Sequence, residues 1–390
     1  MKFVLFYHSL VSDWNHGNAH FLRGVVAELL ERGHRVDVYE PADGWSRTQL
    51  LAEQGHAALD DFAAHFPRLH SHAYTGDSLD LDAVLAAADV AIVHEWNPPA
   101  LVARIGRHRR GARGLRLLFH DTHHRSVTAP DDMQRYDLAD YDGVLAFGDA
   151  VRRRYVENGW CERVWTWHEA ADTRVFHPRA RDRIEGDVVW IGNWGDGERA
   201  RELEEFLIGP IERQRLSARV HGVRYPAQAL AALARAGIEY RGWIANACAP
   251  ETFARFRATV HVPRAPYVKA LPGVPTIRVF EALACAIPLV CAPWPDAEGL
   301  FEPGRDYLVA TDGASMERQL RRIIDDADLA AELSSHGLRT IRARHTCAHR
   351  VDELLAILAG PDLASAGDRS SHRTADATEP SLARECSADA

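Results

Sequence analysis

Positive charge is in short supply in this 390-residue sequence: 46 Lys and Arg face 55 Asp and Glu, for a formal net charge of −9. That balance argues against a dedicated nucleic-acid binder, which carries a basic footprint. Long apolar runs are missing too, and none approaches the ~18 residues that cross a bilayer. Residues 1–9 are partly apolar but lack a small-residue cleavage site, so they read as a buried first strand and not as a signal peptide. Cysteine is sparse. Cys161, Cys248, Cys285, Cys291, Cys347 and Cys386 form no CxxC pair, and scattered thiols in a long chain fit a reducing cytoplasm better than a disulfide framework. GxGxxG, a Walker loop and HExxH are all absent, and so is any internal repeat.

What is present is 46% hydrophobic sequence, enough for two α/β cores at this length. Short β-rich runs alternate with helical ones, the pattern of parallel sheets with crossover helices. Residues 2–7, 35–39, 91–93, 115–119, 143–146 and 164–167 read as strands of one doubly wound half. Residues 20–32, 81–88 and 98–110 read as its helices. A polar stretch with Pro178, residues 172–187, reads as a linker. A second series follows, with strands at 188–191, 219–221, 239–240, 260–262 and 288–291. Its helices lie at 199–208, 227–236, 250–257, 276–284 and 315–325, and residues 348–358 form a last amphipathic helix. From 360 to 390 the chain is rich in Ser, Ala, Asp and Arg without apolar periodicity, and reads as disordered.

In open parallel sheets, ligands bind beyond the carboxyl ends of the strands. Those positions are polar here. Gly17, Asn18 and His20 follow the first strand, and His94 and Glu95 follow residues 91–93. His120 and Asp121 follow residues 115–119, and His168 and Glu169 follow residues 164–167. Any one of these is more readily a helix cap or a satisfied core histidine than a ligand. Four histidine-bearing loops on one edge together read as a site. His with carboxylate also suits Zn or Mn, but the spacing matches no standard zinc motif, so a substrate site ranks above a metal site and no metal is expected. In the second half, Gly192 and Asn193 belong to a turn that enters a helix at Arg199. Backbone N–H groups at a helix N-terminus receive phosphate, and a following Arg adds charge. Such turns are common, so this one carries little weight alone. The basic run Arg104, Arg107, Arg109, Arg110, Arg113 and Arg116 falls on the side away from that edge. A solvated face is the favoured reading, and contact with an anionic membrane surface is the alternative.

Residues 275–290, Pro-Thr-Ile-Arg-Val-Phe-Glu-Ala-Leu-Ala-Cys-Ala-Ile-Pro-Leu-Val, resemble the nucleotide-sugar signature of group-1 glycosyltransferases with the GT-B fold. The Arg278-x-Phe280-Glu281-Ala282 core, before a small-residue turn and Pro288, looks closest to the branch that includes the CgeB-like spore maturation proteins. Val262-Pro263-Arg264 and residues 17–33, 167–178 and 345–355 are similar to that branch as well. The resemblance implies an α/β architecture of two Rossmann-like domains facing each other across a cleft. Residues 1–175 would form the acceptor side and 185–345 the nucleotide-sugar side, with a final helix at 346–359 packed back on the first domain. It also implies a cytoplasmic, hexosyltransferase-like enzyme, metal-independent, without cofactor and retaining in outcome. The donor would be a nucleotide diphosphate sugar, and the acceptor a sugar, a lipid-linked group or a protein.

On that resemblance, Arg199, Arg264 and Arg278 would bear the charge of the departing diphosphate. Glu281 matches the carboxylate that takes ribose hydroxyls, Gly192 and Asn193 match the phosphate-side turn, and Thr276 opens the signature helix. Arg241 and Trp243 belong to the loop that usually holds the base. Arg278 is equally an i,i+3 partner of Glu281. His120 or Asp121 would approach the transferred sugar or the acceptor hydroxyl, and Asp121 or Glu95 would be the base of an inverting reaction. Gly17, Asn18, His20, His94, His168 and Glu169 would face the acceptor. Two departures stand out. Many relatives carry a second Glu eight positions before Glu281, where this chain has Gly273, and the usual Gly of the turn is Ala286. Two alternatives stay open: a sugar-nucleotide epimerase, and a catalytically lapsed carbohydrate-binding or surface-structural protein of the same fold.

Overall fold

The computed structural model describes residues 1–76, 78–112, 114–195 and 197–360. Arg113 of the basic run and residues 361–390 of the expected tail lie outside them. The first sheet has seven strands: β1 (Lys2–Phe6), β2 (Arg35–Pro41), β3 (Ser71–Tyr74), β4 (Val90–His94), β5 (Arg116–Asp121), β6 (Gly143–Ala146) and β7 (Val164–Thr166). Their order is β3-β2-β1-β4-β5-β6-β7. The second sheet has six: β8 (Gly186–Ile191), β9 (Ala218–His221), β10 (Glu239–Tyr240), β11 (Phe256–His261), β12 (Leu289–Cys291) and β13 (Leu308–Val309), in the order β10-β9-β8-β11-β12-β13. Both sheets are parallel in every pairing among the described residues. The order reverses between β1 and β4, and again between β8 and β11. At such a switch point the connections leave on opposite faces, and a crevice opens beyond the strand ends.

Apolar continuity puts the central strands where they are. β4 is buried at every position and β1 at all but Lys2, as strands covered on both faces must be. The Ala19–Glu31 helix turns Phe21, Leu22, Val25 and Leu29 onto the sheet. Several elements that the sequence reading missed are weakly patterned. β3 buries only Tyr74, and β13 is two residues long. The Ala327–Arg344 helix faces the core with Leu333, Gly337 and Ile341. Its middle contact is a glycine, so the apolar period breaks. Residues 199–208, expected as one α-helix, pass from α geometry at Ala200–Leu203 to π geometry at Glu204–Ile208, then into Gly209–Gln214. Pro210 has no N–H to give to the preceding turn, which accounts for the shifted ladder. Ala286 keeps the left-handed turn usual for glycine, with φ +54°.

The basic run is locally engaged. Arg109 pairs with Asp142 at 2.9 Å, Arg110 with Asp140 at 2.7 Å, and Arg104 donates to the Leu79 carbonyl at 2.9 Å. Paired cations project less field at a membrane than the bare run suggests. No helix among the described residues is long and apolar enough to cross a membrane.

The last helix, Cys347–Ala359, packs on Ala19–Glu31 of the first half. Ala171 and Thr346 form a parallel bridge, and Trp167 Nε1–H donates to the Arg350 carbonyl at 2.8 Å. The tightest point is Gly24, where a Cβ would stand 2.4 Å from Cys347 Sγ and 2.8 Å from the Asp172 Cβ. No side chain fits there. Gly24→Val is expected to destabilise the fold, at the upper end of the ~1–3 kcal/mol typical of overpacking. A urea titration would read this as a lower midpoint at unchanged slope; a midpoint at or above wild type would remove the close approach.

Candidate active site

The two switch points face each other across a cavity of ≈ 630 Å³. Loops after β1, β4 and β5 form one wall, with His8, His16, Trp96 and His123. Loops after β8 and β11 and the start of the Ile277–Ala284 helix form the other, with Gly192, Asn193, Arg199, Arg264, Thr276 and Arg278. All six of these were singled out from sequence, and one cavity gathers them.

Arg199 is buried under the turn after β8. It donates to the Val262 carbonyl at 2.8 Å and to the Asn193 carbonyl, and its guanidinium lies 5.0 Å over the Trp190 ring. Its Nε has no partner among the described residues. A Cβ on Gly195 would lie 3.1 Å from Arg199 Nε and 3.5 Å from Arg264 Nε, so both guanidinium groups converge on this turn. Burial first, then the charges of Arg264 and Arg278, push the Arg199 pKa down to about 9. Arg264 holds Glu198 at 3.1 Å. Asn193 is fixed on both sides, donating to Asn15 at 2.6 Å and accepting from the Val223 N–H at 2.9 Å. Three guanidinium groups on one wall, with an N–H unpaired among the described residues, make a place for an anion.

Glu281 does not reach this cavity. It is fully buried, and its two oxygens are taken by Arg278 and by His20 Nδ1 at 3.0 Å. The Asp172 N–H donates to His20 Nε2 at 2.7 Å, so the ring proton sits on Nδ1 and points at Glu281. His20, expected on the acceptor side, is thus an interior partner, with Phe176 stacked on it at 3.9 Å. Arg241 and Trp243 also lie outside the cavity. Arg241 turns to Glu239, and Trp243 Nε1–H donates to Asp13 at 3.1 Å.

The three candidate catalytic residues stand behind the wall. His120 packs 4.8 Å from Trp167, with no partner on either nitrogen. Asp121 accepts from Tyr155 Oη–H at 2.8 Å and from the His123 N–H at 3.0 Å. Glu95 accepts from Arg125 at 3.4 Å. Each is still within its strand or tied to it, so its side chain points into the interior. One to three residues later the chain has left the sheet, and Trp96, Thr122 and His123 reach the cavity instead. His94 is buried with Nε2 at 2.9 Å from Thr122 Oγ1, and His168 meets Glu298 at 3.0 Å. Gly17, Asn18 and Glu169 do line the cavity. Trp45, His261 and Tyr267 also line the cavity; His261 was missed because it closes the apolar strand β11, and Trp45 and Tyr267 carry no local signal of their place.

Residues 199–356 match the family model described as glycosyl transferase-like. No curated protein matches the chain. HepE from Anabaena, solved with UDP and glucose, is similar with a TM-score of 0.65 at 17% identity, over 92% of this chain and 100% of its own. An α-glucosyltransferase solved with UDP and a 13-mer DNA gives 0.68 at 12% identity, over 92% and 100%. Sucrose-phosphate synthase from Thermosynechococcus elongatus gives 0.60 at 13%, over 92% and 99%. At such identities the likeness shows the fold, two Rossmann-like halves across a cleft in the GT-B arrangement.

Burial sets the charge of the first wall and of the residues behind it. His8, His16, His94, His120 and His123 are all pushed toward the neutral form by desolvation, His8 to about 4 and His120 to about 3. The carboxyls of Glu95, Asp121 and Glu169 are pushed up by the same cause, Asp121 to about 6. An unfolded histidine takes a proton below about pH 6.5, while these five resist until far lower. In that window the unfolded chain binds more protons, so acidification favours unfolding. The raised carboxyls act oppositely, since their contribution is present at low pH and lost as pH rises through their folded values. The histidines outnumber them. Urea midpoints are therefore expected to fall between pH 7 and pH 5; a flat or rising profile would mean that the rings are not held neutral.

Proposed function

We propose that the chain is a glycosyltransferase that moves a sugar from a nucleotide diphosphate donor. The observation that carries this reading is the convergence of Arg199, Arg264 and Arg278 at the switch point of the second sheet. In glycosyl transfer the bond between the anomeric carbon and the diphosphate oxygen breaks, and the electron pair leaves with the diphosphate. Preorganised cations stabilise that developing charge most effectively where water is excluded. The acceptor oxygen bonds to the anomeric carbon, and its proton must depart. Here the cleft supports a metal-independent, retaining course. Glu198 is tied to Arg264, and Glu95 and Asp121 lie behind the wall. The leaving diphosphate oxygen can take the acceptor proton on the same face. The acceptor enters from the first half, past Trp96 and His123. The HepE structures hold UDP and UDP-glucose, which makes UDP the first nucleotide to try. Within the class, the Arg278-x-Phe280-Glu281-Ala282 core supports the CgeB-like branch.

Thermal shift with UDP, GDP, TDP, ADP and CMP tests the reading. A ligand at about 100 times its dissociation constant adds ~2.7 kcal/mol to stability. One nucleotide diphosphate is expected to raise the melting temperature. Arg264→Ala and Arg278→Ala should each weaken it about tenfold or more, since a hydrogen bond to a charged group contributes ~1.5–3 kcal/mol. If no nucleotide stabilises the wild type, the reading fails.

A further inference from the structure

We propose that Glu169 is the residue that holds the hydroxyls of the transferred sugar, from the acceptor half of the molecule. This rests on the glycosyltransferase reading and deepens it. The signature that residues 275–290 resemble often carries a carboxylate where this chain has Gly273, and the structure closes that route. Gly273 takes φ +91°, and a Cβ there would stand 2.8 Å from the Glu298 Cγ. Glu298 itself is committed elsewhere. It accepts from the Asp149 N–H at 2.9 Å and meets His168 at 3.0 Å.

Among the described residues, Glu169 is the cavity carboxyl left to do this work. It lines the cavity, it is 3% exposed, and its Oε1 has no hydrogen-bond partner among the described residues. Glu198, also on the cavity, is held by Arg264. The charged groups that bear on Glu169 are Glu281 and Arg278 on the Ile277–Ala284 helix, with Tyr267 close enough to be affected in turn. A diphosphate on Arg278 would thus leave its sugar within reach of Glu169. An unpaired buried carboxyl is costly unless a ligand completes it. Burial favours its protonated form, which offers one donor and one acceptor, the complement of a sugar hydroxyl pair. The same state makes it a poor base. Its part is to bind the ring and select its stereochemistry.

The test is calorimetric titration of wild type, Glu169→Gln and Glu169→Ala with UDP, GDP, TDP and ADP and with UDP-glucose, GDP-mannose, TDP-glucose and ADP-glucose. For the pair that binds wild type, Glu169→Ala should lower the affinity ratio of nucleotide sugar to free nucleotide about tenfold, from two lost hydrogen bonds. Affinity for the free nucleotide should stay within about twofold, which also reports an intact fold. Glu169→Gln, which keeps a donor and an acceptor, should retain most of the ratio. Equal losses for nucleotide and nucleotide sugar would make Glu169 structural and overturn the assignment. So would an unchanged ratio in Glu169→Ala, or a ratio lost as fully in Glu169→Gln. Binding of no pair removes the glycosyltransferase reading, and this assignment with it.

Discussion

One buried relay joins the two halves and aims the cation that faces the cleft. The Asp172 N–H fixes the tautomer of His20, His20 donates to Glu281, and Glu281 holds Arg278. The first residue lies in the crossing segment, the second on the first helix, and the last two on the helix at the mouth of the second switch point. In a low-dielectric interior such bonds are strong while complete and expensive to break. The relay also explains why a carboxylate can be fully buried in an apolar helix. Both of its oxygens have donors, so burial leaves nothing unsatisfied.

A second node works alongside it. Asp13 accepts from Arg23 at 2.9 Å, from the Asn246 N–H at 3.0 Å and from Trp243 at 3.1 Å. Arg23 stands on the first helix, while Asn246 and Trp243 belong to the second half. Together with the returning Cys347–Ala359 helix and the tight contact at Gly24, these ties set the distance between the two switch points. The width of the cleft follows from interior contacts.

The two walls differ in kind. Desolvation keeps the histidine-rich wall neutral, while the opposite wall concentrates guanidinium groups around a turn. A ligand with one anionic end and one neutral, hydroxylated end matches that asymmetry. The match does not depend on any single residue, because burial acts on His8, His16 and His123 alike and three arginines share the opposite wall.

The amino-acid sequence by itself determined the alternation of strands and helices, the central strands, and most of the loops that line the cavity. Apolar period and glycine placement are local properties, and they are legible wherever an element buries a full face. The second-half residues Gly192, Asn193, Arg199 and Arg264 were legible because they follow strand ends, and Thr276 and Arg278 because they open the motif helix. Only the tertiary structure decided that His120, Asp121 and Glu95 lie behind the wall while Trp96 and His123 reach through it. It also turned His20 and Glu281 into each other's partners across 261 positions, and brought Glu169 opposite Arg278. The physical reason is directional. A strand end names the edge on which a residue sits, but one further residue reverses its side chain, and long-range partners become neighbours only when two sheets are packed against each other.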